Sequence, residues 1–202
     1  MENYLITRNF KFSLIAIFAG LLFLTSCDND EDNDSESVEN IIDNTVTVDL
    51  SEYPISYSFI INYGYDEDSK FYNYDFYLTD GSLTEDNEFN SSTTFYIYSE
   101  LFSASTNSFT TGTFEYKSYI DAAVDDLSDV EHYFSRAYIL RDSNGDGILS
   151  DDSEIVEVTG GTIKVSGTSP NYTIMYDLEL ADNSALNGAY NGSFDIINEI
   201  NY

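Results

Sequence analysis

Residues 142–147 read Asp-Ser-Asn-Gly-Asp-Gly. Oxygen-bearing side chains at alternate positions of a short loop converge on one point, and the glycines let the backbone reverse there. An all-oxygen set of this kind suits a hard divalent cation, and calcium takes six to eight oxygens at about 2.3–2.6 Å. Asp142, Asn144 and Asp146 would supply side chains. Gly147 makes the turn that brings the Ile148 carbonyl inward, Ser150 sits where a water often bridges, and Asp152 or Glu154 closes the shell. The role expected of the ion is structural, because without it Asp142, Asp146, Asp151, Asp152 and Glu154 repel one another. A solvated turn that holds no ion also fits this stretch.

Other chemistry finds less support. The chain has one His, one Cys and no Trp. His132 therefore cannot assemble a His-based zinc site, and no Cys–His nucleophile pair can form. No G-x-S-x-G elbow and no glycine-rich phosphate loop occur. Glycoside hydrolysis needs two carboxylates about 5–10 Å apart. With 37 acids some pair is guaranteed, so that alternative stays open without a pattern of its own. Eighteen tyrosines could stack on sugars or simply pack a sheet. The residues thus point away from an enzyme and toward a non-catalytic binding or adhesion module, with a structural envelope protein as a further alternative.

The run 142–147 resembles the first half of an EF-hand calcium loop. The second half departs from it, since position 12 is Ser153 and the acids fall at 151, 152 and 154. The flanks, "HYFSRAYIL" and "EIVEV", read as strands rather than helices. The same loop closing a β-hairpin is the expectation.

The cysteine has its own setting. Arg8 and Lys11 precede "FSLIAIFAGLLFL", an uncharged run too short for a bilayer, which needs about 20 apolar residues. It ends in Leu24-Thr25-Ser26-Cys27, and acids follow at Asp28, Asp30, Glu31, Asp32 and Asp34. The first 27 residues resemble a bacterial lipoprotein signal. The resemblance implies that Cys27 is acylated and becomes the mature N-terminus. The acids resemble the export tract of Bacteroidota surface lipoproteins, which implies an outer-membrane location facing the cell exterior. In that family a Ser, Lys or Gln often precedes the acids; here Asp28 follows at once, which leaves a periplasm-facing domain open. Residues 27–44 read as a disordered acidic tether spanning roughly 20–25 Å. Losing Arg8, Lys11 and Glu2 with residues 1–26 takes the net charge from −30 to −31. Such a chain repels nucleic acid, so its partners are expected to be the membrane, through the lipid alone, and a glycan or protein ligand.

Residues 45–202 carry period-two alternation rich in Tyr, Phe, Ile, Val and Thr. About nine strands are bounded by Gly, Asn, Asp and Ser. The expectation is one all-β domain, an antiparallel sandwich or barrel, with a short helix near 121–131. "YDFYLTDGS" at 74–82 echoes "YDLELADNS" at 176–184, as a duplication or chance would give. The segment from Gly160 to Ile196 is similar to a C-terminal meander of small all-β Bacteroidota lipoproteins, a likeness that implies no particular activity.

Mass spectrometry of the membrane fraction should find an acylated N-terminal peptide beginning at Cys27, and Cys27→Ser should release or mis-process the protein. A soluble product that retains residues 1–26 would reject the anchor.

Overall fold

The strongest apolar alternation builds a single sheet. The computed structural model describes residues 42–200 apart from 83, 85–89, 125, 148 and 150–153. Cys27 and the tether up to residue 41 lie outside the described residues. Asn40–Tyr202 forms one compact unit. Its strands are β1 (Thr45–Val48), β2 (Ser51–Pro54), β3 (Tyr57–Asp66), β4 (Phe71–Thr79), β5 (Phe95–Ser103), β6 (Thr113–Tyr116), β7 (His132–Arg141), β8 (Ile155–Thr168), β9 (Asn171–Leu180), β10 (Ala185–Ser193) and β11 (Asp195–Asn198), with helix α1 (Tyr119–Val124) between β6 and β7.

All eleven described strands join one curled sheet in the order β11-β3-β4-β5-β7-β6-β8-β9-β10-β1-β2, with β7 also pairing β8. The all-β class is as expected, but the sandwich-or-barrel architecture gives way to this half-barrel. The sheet is mixed rather than antiparallel. β11 runs parallel to β3, and β6 runs parallel to β7. The β11 pairing follows from the chain's route: after β10 it bends at the buried Phe194 and crosses to the opposite end of the sheet.

The strand count differs from nine for local reasons. Thr45–Val48, too short to register as alternation, pairs with both β10 and β2. "YPISYSFIINYG" breaks into β2 and β3, and "GAYNGSFDII" breaks into β10 and β11. Conversely, Gly160-Gly161, glycines of the kind expected to bound strands, form the bend of one fourteen-residue strand, β8. Gly161 has φ +102°, and a Cβ there would lie 2.2 Å from the Asp177 carbonyl oxygen, so only glycine lets β9 approach this closely. The helix is short, as expected, and begins two residues ahead of the 121–131 stretch. Ser118 caps it, accepting from the Asp121 N–H at 3.1 Å and donating to the Asp121 carboxylate at 2.6 Å.

The core fills the inside of the curl. Phe76, fully buried on β4, meets Phe194, Phe109 and Tyr172 at ring-centroid distances of 5.4, 5.7 and 5.9 Å. These rings tie β4 to the far strand β9 and to the crossing between β10 and β11. Phe76→Ala should destabilise the fold by about 3–5 kcal/mol in urea melts, because the surrounding strands cannot collapse into the space. A loss below about 1 kcal/mol would mean the site is not packed as described.

Candidate metal centre

β7 ends at Arg141, and the Asp142 N–H bonds the Thr94 carbonyl at 3.0 Å, which pins the start of the loop. Asp142 then organises the turn. Its Oδ1 accepts from the Gly145 and Asp146 N–H groups at 2.7 and 3.1 Å, and its Oδ2 from the Gly147 N–H at 2.9 Å. Gly145 and Gly147 sit at φ +76° and +78°, a conformation that side chains resist, which is why both positions are glycine. A carboxylate has about four acceptor sites, so Asp142 keeps room for one metal contact.

Asp142, Asp146 and Glu154 each offer a carboxylate oxygen within 4.8 Å of the others. Asp146 is exposed, Asp142 half-buried and Glu154 only 1% exposed. Neither carboxylate oxygen of Glu154 has a hydrogen-bond partner among the described residues. An ionised carboxylate buried without a partner costs several kcal/mol unless a counter-charge reaches it. A cation among the three carboxylates would supply that charge, and this acidic triad could hold one. A cleft of about 440 Å³ bounded by Arg141, Glu154 and Asp182 adjoins it, with Arg141 and Asp182 paired at 2.8 Å on its lip.

Of the ligands expected from sequence, Asp142, Asp146 and Glu154 are thus brought together. Asn144 lies in the same loop but is engaged within it: its Oδ1 accepts from the Asp146 N–H at 2.8 Å and its amide donates to an Asp146 carboxylate oxygen at 3.2 Å. Ile148, Ser150 and Asp152 lie outside the described residues. His132 serves packing: its Nε2 meets Thr110 Oγ1 at 3.2 Å, its ring stands edge-on to Phe114, and a Cβ on Gly112 would strike it. Burial holds its pKa below the usual value against an opposing pull from Glu131.

A second group of polar residues escaped the sequence reading. On the sheet face turned away from the core, Asp75 of β4 stands directly opposite Glu100 of β5, and Glu100 directly opposite Arg136 of β7. Asp75 is buried; Tyr98 donates to its Oδ2 at 3.0 Å, while its Oδ1 has no partner among the described residues. Burial first, and then the Glu100 charge, push the Asp75 carboxyl up to about 7, against smaller opposing pulls from Tyr98, Asn73 and Arg136. Burial also raises Glu100, with Arg136 opposing. Strict alternation would have left both acids in solvent; the available signal was a carboxylate set in the aromatic run "FYNYDFYLT".

Comparison with protein-family models, with curated proteins and with solved structures finds no match.

The raised Asp75 carboxyl gives a signed prediction. The folded state binds more protons than the unfolded chain between about pH 4 and pH 7, so stability falls as pH rises through that window. Glu100 acts in the same direction. Asp75→Asn should flatten this slope in urea melts and raise stability at pH 8 by about 1–3 kcal/mol, with little change near pH 4. An unaltered pH profile would reject the buried, protonated carboxyl.

Proposed function

We propose that the protein is a lipid-anchored module of the outer membrane that faces the cell exterior, is stabilised by one bound Ca²⁺, and binds rather than catalyses. The observation that carries this reading is Glu154, whose two buried oxygens lack partners among the described residues and lie beside Asp142 and Asp146. The anchor rests on the Leu24–Cys27 box and the acids that follow it. No helix among the described residues is long and apolar enough to cross a membrane.

Calcium is favoured by the donor set, which is all carboxylate and holds no sulfur or imidazole. The loop is exposed and flexible in ligand number, whereas Mg²⁺ demands near-ideal octahedral geometry and dehydrates reluctantly. The ion would join the end of β7 to the start of β8 and neutralise three carboxylates at once.

A second reading, a glycan hydrolase with two carboxylates, draws on Asp75 and Glu100, which face each other while burial keeps Asp75 protonated near neutral pH. Release of reducing sugar that is lost in both Asp75→Asn and Glu100→Gln would establish it.

Thermal melts of the full-length protein in detergent test the metal. Saturation at 100 times Kd adds about 2.7 kcal/mol, so Ca²⁺ should raise the melting temperature above that in EDTA by roughly 5–10 °C, and more than Mg²⁺ does. Glu154→Gln should abolish the response while making the metal-free protein more stable, since it removes the buried charge. Asp146→Asn should abolish the response without that gain. Identical melts with and without chelator, together with no calorimetric Ca²⁺ binding, would defeat the proposal.

A further inference from the structure

An asparagine followed by glycine is chemically fragile, because the next backbone nitrogen meets no side chain on its way to the asparagine carboxamide. The chain holds three such pairs: Asn144-Gly145, Asn187-Gly188 and Asn191-Gly192. The last two lie inside β10, which pairs with β9 along its whole length. Asn187 and Gly188 are also paired with β1. Asn191 is clamped by Asn44, whose Oδ1 accepts from the Asn191 N–H at 2.8 Å and whose amide donates to the Asn191 carbonyl at 3.2 Å. Bending the backbone there toward ring closure would break ladder bonds, so both pairs are held apart from reaction. Asn144 and Gly145 lie outside the sheet, and both are exposed.

Exposure is the smaller part of the difference. Three hydrogen bonds surround the atoms of Asn144-Gly145 that would react. The Gly145 nitrogen, the nucleophile, donates to Asp142 Oδ1 at 2.7 Å, so a base already sits on the proton that must leave. Negative charge would develop on Asn144 Oδ1 as its carboxamide carbon is attacked, and the Asp146 N–H donates to that oxygen at 2.8 Å. The departing nitrogen, Asn144 Nδ2, donates to an Asp146 carboxylate oxygen at 3.2 Å, which favours the positive charge it gains on leaving. Gly145 itself stands in open space, so water reaches the product.

We propose that Asn144 is a self-modifying site: in the metal-free loop it converts to aspartate and isoaspartate, and a cation held by Asp142 and Asp146 slows the conversion. The second clause rests on the calcium reading; the first rests on the loop alone. The Gly145 nitrogen bonds to Asn144 Cγ, and its proton passes by way of the Asp142 carboxylate to Nδ2. The Cγ–Nδ2 bond breaks, ammonia leaves, and a five-membered imide remains. Water then opens the imide. Cleavage of the new bond gives aspartate at 144, and cleavage of the original peptide bond gives isoaspartate with one more backbone atom before Gly145. Ammonia leaves and water enters, so no oxidant or cofactor is needed. Aspartate adds a carboxylate to the three already gathered there. Isoaspartate shifts the Gly145, Asp146 and Gly147 N–H groups away from Asp142 and undoes the turn. A bound cation draws charge from both carboxylates and stiffens the turn, which must flex for the ring to close.

The test warms the full-length protein at neutral pH in heavy-oxygen water, with EDTA or with excess Ca²⁺. Peptide mapping then reads isotope uptake at each of the three pairs, and isoaspartyl methyltransferase reports the isomer. In EDTA, residue 144 should convert at least about tenfold faster than 187 or 191. Excess Ca²⁺ should slow 144 alone. Asp142→Asn keeps an acceptor for the Gly145 N–H but removes the base, and should slow conversion at 144 about tenfold. A merely structural Asp142 predicts the opposite sign, since a loosened turn reacts faster. Equal conversion at the three pairs, or conversion in Asp142→Asn as fast as in the wild type, would overturn the site. Calorimetry on the same samples separates the two readings. Ca²⁺ that binds without slowing residue 144 would overturn the coupling. If no Ca²⁺ binds while 144 still converts selectively and through Asp142, the calcium reading falls and the modification site stands.

Discussion

The bend at Gly160-Gly161 lets β8 serve three neighbours. Ahead of it, Val156 and Glu157 pair with β7; beyond it, Thr162–Lys164 pair with β6; and β9 runs along almost the whole length. Only a residue without a Cβ allows the Asp177 carbonyl to come so close at Gly161. The bend therefore sets the curl that closes the core and admits β6 beside β7. It also fixes where β8 begins, and so where Glu154, the residue just before it, is buried.

The metal centre follows from that placement. The two carboxylates of the 142–147 loop sit on a turn open to water, where two acids together cost little. Glu154 changes the balance, because it reaches them from inside the protein, where water cannot solvate it. The same principle acts on the opposite sheet face, where Asp75 meets its burial by holding a proton rather than by attracting a cation. On the proposed reading, the two buried acids would reach neutrality by different routes, and their surroundings explain the difference. Asp75 has a tyrosine donor and a nearby arginine, whereas Glu154 has two other carboxylates.

Much of this was legible in the chain. Alternation marked most strands and their core-facing residues, since Tyr72, Tyr74, Phe76 and Leu78 do line the core. The approach of Asp142 and Asp146 was legible because local spacing brings their carboxylates together. Glu154 was one of two alternatives, as its burial depends on β8 and not on the loop. The mixed topology was not legible: β11 lies beside β3 because of a crossing at Phe194, and four residues of "DIIN" carry no sign of their partner. The Asp75–Glu100–Arg136 row was hidden for a related reason, since register across three strands is a tertiary property that period-two counting cannot see.

Among the described strands, an open curl leaves two with unpaired ladders, β2 and β11. Each is four residues long; β2 contains Glu52 and ends in Pro54, which has no N–H to offer, and β11 begins with Asp195. Such edges give an incoming strand few donors, a charge to desolvate and too short a run to nucleate on. With the proposed anchor, copies would crowd in two dimensions, where local concentration is far higher than in solution. Under that crowding, blunt edges would let neighbouring molecules jostle without zipping into a shared sheet, leaving the broad faces as the surfaces through which the protein meets its surroundings.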